Sequence, residues 1–212
     1  NANTTASNNT AVGYRALDAN TTGASNTALG HNAAANSTTA SNNVALGVNA
    51  LNVNTTGATN VAVGAGALLR NTTASNNTSV GYNSLTANTT GADNVAVGAL
   101  AGDSITTGSY NTILGKTAGE SVTTGEYNVL IGYDVASHET NLVTGVRNVI
   151  IGALSDPLAT DANNVIAIGY NVGGAADFTT LGSGSSDIRA GHGVATWATV
   201  SDERYKKDIV DS

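Results

Sequence analysis

The sequence predicts an all-β fold, a repetitive β-solenoid or β-roll of about ten 17-residue coils, forming an intertwined or side-by-side homotrimeric fibre. Two observations predict the coil and a third predicts the assembly. The first is a five-residue string, Asn-x-x-x-Gly with an apolar centre: NTAVG from Asn9, NTALG from Asn26, NVALG from Asn43, NVAVG from Asn60, NTSVG from Asn77, NVAVG from Asn94, NTILG from Asn111, NVLIG from Asn128, NVIIG from Asn148 and NVIAIG from Asn164. Eight copies follow one another at 17 residues, the next step is 20, and the last is 16 with one residue inserted inside the string. A short fixed period of this kind is the mark of stacked repeats. The second is composition: 212 residues with 25 Gly, one Pro, no Cys and no Met, 4% aromatic and 11% charged, yet 41% hydrophobic. That is too few large side chains for an ordinary globular core and too much periodic apolar content for a disordered chain. The third is the middle residue of the string, which is Ala or Ser at 11, 28, 45, 62, 79 and 96 and then Ile113, Leu130 and Ile150.

Each element follows from these. In NVAVG, Val61 and Val63 point to one face and Ala62 to the other, because a strand alternates with a period of two. The Gly supplies a bend that a Cβ would resist. One such strand cannot hold itself, but stacked on its neighbours it completes a core and its edge hydrogen bonds find partners. After the Gly comes a small residue and a Leu, as in Ala16 and Leu17, Ala50 and Leu51, Ala67 and Leu68, Ser84 and Leu85. A polar turn of Asn, Thr, Gly and Ser closes the unit, and its two forms alternate, so the early period deepens to 34. Each unit therefore reads as two short strands and two turns. At strand spacing, ten units make a rod about 50 Å long. One face of the strand lines the coil interior and the face carrying the middle residue points out, so the row from Ala45, Ala62 and Ala96 to Ile113, Leu130 and Ile150 is expected to be a seam around a threefold axis. An exposed row of Ile and Leu is otherwise an aggregation liability.

The formal charge is −7, and residues 1–100 carry only Arg15, Asp18, Arg70 and Asp93. There is no basic stripe for nucleic acid and no run of apolar residues long enough to cross a bilayer as a helix. Seven charges fall in the last twelve residues, SDERYKKDIVDS. The chain opens in mid-repeat and has no signal peptide, which predicts a fragment of something longer. Three segments result: a repeat shaft over 1–170, a β-rich connector over 171–200 holding the only Phe and Trp, Phe178 and Trp197, and a charged end over 201–212.

NTAVGYRAL, NVALGVNAL and NVAVGAGAL resemble the head repeats of trimeric autotransporter adhesins, which coil into a left-handed parallel β-roll with three chains side by side; similar repeats occur in phage tail fibres. SDERYKKDI, from Ser201 to Ile209, resembles the opening of the intramolecular chaperone domain at the ends of phage tailspikes, endosialidases and tail fibres. That resemblance implies self-cleavage in a longer parent protein, with Ser201 as nucleophile, Lys206 as its base, and Asp202 and Arg204 completing the motif. The family's domain runs on for many tens of residues, so cutting is not expected from this chain. From the residues alone, the same stretch is a helix start capped by Ser201.

Two functions follow: a receptor-binding trimeric fibre on a virion tail, or a bacterial surface adhesin head. The resemblances imply a host-surface receptor, polysaccharide or protein. No cofactor and no metal site is expected, since His31, His138 and His192 lie far apart. The 20-residue step predicts a protruding loop in which Asp134, His138 and Glu139 touch a partner. Lesser readings are glycan attachment at Asn20, Asn54 and Asn88, sugar stacking on Trp197, and an ice-binding row of Thr pairs interrupted by other residues.

Overall fold

A computed structural model describes residues 5–184, 186–193 and 198–199. Among these residues there is no helix. One 13-stranded sheet runs the length of the molecule, and its first ten strands are parallel. They are β1 (Thr10–Val12), β2 (Thr27–Leu29), β3 (Val44–Leu46), β4 (Val61–Val63), β5 (Thr78–Val80), β6 (Val95–Val97), β7 (Thr112–Leu114), β8 (Val129–Ile131), β9 (Val149–Ile151) and, after a short β10 (Asp156–Pro157), β11 (Ile166–Tyr170). Each strand pairs in register with its equivalent one coil on, Val44 with Val61 and Val61 with Thr78, so the molecule is a parallel β-solenoid of about ten coils. The last coil keeps the 17-residue pitch: Ile166 pairs with Val149, and Val165 takes the place of the motif Asn while Asn164 sits in the turn before it. β12 (Gly173–Gly174) pairs with β10 in a separate two-stranded sheet. β13 (Phe178–Ser183) continues the main sheet in parallel beyond residue 170, then β14 (Ile188–Gly191) and β15 (Ala198–Thr199) pair antiparallel at its end.

The regular coils have one strand each, not two; a second, β10 and β12, is added only in the coils that carry β9 and β11. The segment after the Gly is a run of turns, and its Leu residues sit at positive φ: Leu17 (51°), Leu51 (53°), Leu68 (50°) and Leu85 (48°). A left-handed leucine costs about 1 kcal/mol or more. Burial and stacking offset it, because all four are buried and the backbone N–H of Leu51 donates to Ala67 O (2.9 Å) and that of Leu68 to Ser84 O (3.1 Å).

The motif residues have separate tasks. Each Asn is a rung of a ladder: Asn43 Oδ1 accepts from the Asn60 N–H (2.8 Å), and Asn43 Nδ2 donates to Gly57 O (2.9 Å). The pattern repeats from Asn9 to Asn148 and ends when Asn148 Oδ1 accepts from the Val165 N–H (2.9 Å). These amides are buried, and every buried polar group needs a partner. The Gly packs backbone on backbone: at Gly47 (φ +138°) a Cβ would lie 2.5 Å from Gly64 O.

The expected seam is overturned. Ala45, Ala62, Ala96, Ile113, Leu130 and Ile150 are buried in the single chain and form part of its core. The middle residue points into the coil, and the flanking pair, Val61 and Val63, points out. The change from Ala to Ile and Leu is a change of core packing. Where the strand carries Ala62 or Ala96, Leu51, Leu68 and Leu85 fill the coil from the turn side. Where it carries Ile113 and Leu130, the turn position is Gly102 and Gly119, and a Cβ there would meet Ile113 Cδ1 at 2.9 Å and Leu130 Cδ1 at 2.8 Å.

Candidate functional site

The regular coils leave little relief, so the site to examine is where the period breaks. Coil positions match at 17 residues as far as Ser137, whose hydroxyl accepts from the Glu120 N–H (2.8 Å). By Val143 the match is at 20, since the Thr123 N–H donates to Val143 O (2.9 Å). The three extra residues are therefore His138, Glu139 and Thr140. They form a loop held from the next coil by Asp156, whose Oδ1 accepts from the His138 N–H (3.1 Å) and whose Oδ2 accepts from the Glu139 N–H (2.7 Å). His138 Nδ1 lies 3.9 Å from Asp156 Oδ2. The Asp156 carboxylate is buried, and two backbone donors hold its charge in place.

Beside this loop is a cleft of about 270 Å³, lined by Glu139 and Thr140 on the loop, by Leu154 and Asp156–Leu158 on the next coil, and by Asn171 and Gly173 beyond. The bare α-carbon of Gly173 leaves room for Leu158, whose Cδ2 would lie 2.9 Å from a Cβ there. Among the described residues none that line the cleft is basic. Of the predicted partner-contact residues, the structure brings His138 and Glu139 together over Asp156. Asp134 is not part of the cleft lining; it sits at positive φ (53°) in the turn after Gly132, its N–H donating to Lys116 O (3.1 Å). Sequence reasoning missed Asp156. Its signal was the Asp-Pro pair: Pro157 is the single proline of the chain, and it stands where the repeat is disturbed.

Ser201, Asp202, Arg204 and Lys206, the residues expected from the resemblance to take part in self-cleavage, lie outside the described residues, as does Trp197. His31 stacks on Tyr14 with ring centroids 5.4 Å apart, and His192 Nε2 lies 3.3 Å from Thr179 Oγ1. Among the described residues no group of three His, Cys, Asp or Glu is placed to hold a metal ion. Asn20, Asn54 and Asn88 are buried, each amide donating to a carbonyl three residues on, Asn54 to Gly57 O at 2.9 Å, so none is free to carry a glycan. The Thr pairs form a continuous column from Thr21 to Thr123, not an interrupted one, and the hydroxyl of the first of each pair donates to a carbonyl of the next coil, Thr55 to Thr72 O at 3.0 Å.

Two electrostatic features stand outside the cleft. Asp103 and Glu120 occupy equivalent positions in adjacent coils. Burial, then the Glu120 carboxylate, push the Asp103 carboxyl up to about 6. At the C-terminal end of the sheet, burial also raises the Asp187 carboxyl, with the Arg189 guanidinium pulling the other way.

The outer face of the strands carries an apolar row, exposed at its N-terminal end and half-buried along most of its length. Its third positions are Val12, Leu29, Leu46, Val63, Val80, Val97, Leu114, Ile131, Ile151 and Ile168, one per coil without exception. Val12 and Leu29 are 56% and 51% exposed. Its first positions are Thr, Val or Ile throughout, so the whole face is uncharged. Tyrosines border it, including Tyr110 stacked on Tyr127 at 4.8 Å on one side and Tyr82 and Tyr133 on the other.

Comparison with known proteins adds no relative: no family model, no curated protein and no solved structure matches the chain.

Proposed function

We propose that this chain is the rod of a homotrimeric, receptor-binding fibre, of the kind carried on a phage tail and matured by removal of a C-terminal chaperone at Ser201. The observation that carries the reading is the uncharged outer face of the strands. A face about 50 Å long and about 10 Å wide presents on the order of 500 Å², and the tyrosines that border it widen it toward the roughly 800 Å² that each partner of a stable interface buries. Left in water it is an aggregation hazard, and the parallel in-register strands make it straight enough for copies to meet along its length. The seam in this reading is the outward row, Val63, Val97, Leu114 and Ile131, in place of the inward row. The SDERYKKDI string supports a tail fibre over an adhesin head.

Light scattering on the intact chain tests it. The expected mass is three times 21.0 kDa, falling to one chain in a Val97→Asp, Leu114→Asp double variant that keeps its β-sheet circular dichroism. A wild-type chain that is monomeric at micromolar concentration overturns the proposal.

A further inference from the structure

We infer that the cleft beside His138–Thr140 is a subsite for a neutral sugar ring, and that it rejects acidic sugars; the inference rests on the receptor-binding reading and names the class of receptor. Size is the first argument. At about 270 Å³ the cleft lies just below the range of small-ligand pockets, which suits a single ring. Lining chemistry is the second. Leu154, Pro157 and the exposed Leu158 offer apolar surface, while Glu139, Thr140 and Asn171 offer a carboxylate, a hydroxyl and an amide. A pyranose divides the same way, with C–H groups on its faces and hydroxyls on its rim. A hydroxyl donating to the Glu139 carboxylate makes a charge-assisted bond, stronger than a neutral one.

Charge sets the specificity. Glu139 and Asp156 are the two acidic residues that line the cleft, and no described basic residue lines it. The nearby cation, Arg189, donates from Nη2 to Gly173 O (3.3 Å) and has the Asp187 carboxylate as its neighbouring charge, so a sugar carboxylate entering the cleft meets like charge with little compensation, which is how a site discriminates against a near neighbour of its ligand. The loop is also set in advance. Asp156 holds the His138 and Glu139 N–H groups from the adjoining coil, so little ordering remains to oppose binding. Asp156 is thus a positioning residue, and Glu139 is the contact.

The test is a titration of the intact chain at pH 7, followed by amide NMR shifts, with glucose and N-acetylglucosamine as neutral probes and glucuronic acid as the acidic one. Saturable shifts at Glu139, Thr140, Asn171 and Gly173 are expected with at least one neutral sugar in the millimolar range, and binding about tenfold weaker or absent with glucuronic acid. Glu139→Gln is expected to weaken the neutral sugar several-fold and to remove the discrimination against the acid. Since Glu139 is exposed, that variant keeps the fold. No shift with either neutral sugar, or glucuronic acid bound as tightly as they are, overturns the inference. The two proposals fail separately: a trimer with a silent cleft overturns only this one, and a monomer whose cleft binds sugar overturns only the assembly.

Discussion

Between Leu51 and Asn94 the coil interior is made of Leu on the turn side, Ala or Ser on the strand, and Asn54, Asn71 and Asn88 in a third column. Between Gly102 and Ile150 the turn side is Gly102, Gly119 and Ala136, the strand carries Ile113, Leu130 and Ile150, and the third column is Ile105, Val122 and Leu142. The backbone is the same in both halves: turn residues at positive φ, parallel strands in register, and one unbroken Asn ladder. What differs is how each coil fills its interior: volume passes from the turn side to the strand, and the third column passes from amide to aliphatic. In the early half the third column spends its amides on one another, with Asn71 Nδ2 donating to Asn54 Oδ1 (3.0 Å) and Asn88 Nδ2 to Asn71 Oδ1 (3.0 Å). In the later half that column is aliphatic, so the core gains hydrophobic burial and loses the side-chain hydrogen-bond chain.

The sharpest way to break this symmetry is Leu130→Ala. It is expected to destabilise the chain by about 4 kcal/mol in chemical denaturation, because the facing residue is Gly119, which brings no side chain to refill the space. A loss no larger than about 1 kcal/mol would mean the later coils collapse readily, and the two halves would then differ in packing quality. Gly102→Leu is the reciprocal change and restores the early pattern at one position. It overpacks against Ile113 and is expected to lose about 2 kcal/mol. Adding Ile113→Ala should recover most of that loss, since the pair then matches Leu85 with Ala96. Failure of the second change to rescue the first would sink the idea that volume is exchanged across the coil.

The smallest expected effect is one of charge, and it belongs to the join between the halves. The Asp103 carboxyl titrates near 6 in the folded protein against an ordinary 3.8. The folded state therefore holds the proton more tightly than the unfolded chain does. The stabilisation is fully present below about pH 3.8 and is lost as the pH rises through about 6. Because the group is partly solvated, about 1 kcal/mol is expected after screening. Asp103→Asn should flatten the stability difference between pH 5 and pH 8; an unchanged slope would show that Asp103 does not titrate differently in the folded and unfolded chain.

Much of the fold was legible because a solenoid repeats its reasons. The Asn recurs because each coil needs the same buried acceptor and donor, and the Gly recurs because each meets the backbone of the next coil. The second strand was misread because a Leu followed by polar residues looks extended by propensity, whereas Leu51 and Leu68 hold left-handed conformations that only burial sustains. Asn164 looked like a motif residue in a slipped repeat, while register places Val165 there. Of the cleft, the lengthened step, His138 and Glu139 were visible as a break in period. Asp156 was not, since its part depends on two N–H groups from a loop 17 and 18 residues away.

By itself the sequence determined the all-β class, the stacked coils, their pitch and the near absence of charge, since these follow from period and composition and need no knowledge of neighbours. Only the tertiary structure decided which side of each strand faces in. Alternation with a period of two says that Val61 and Ala62 part company, but it is blind to sign. The sign is the same in every coil from Ala28 on, with the middle residue facing in, and the turn side sets only its size: small opposite Leu51, Leu68 and Leu85, large opposite Gly102 and Gly119. The outward apolar row therefore runs through Leu114 and Ile131, one residue along the chain from Ile113 and Leu130 and on the opposite face of the sheet.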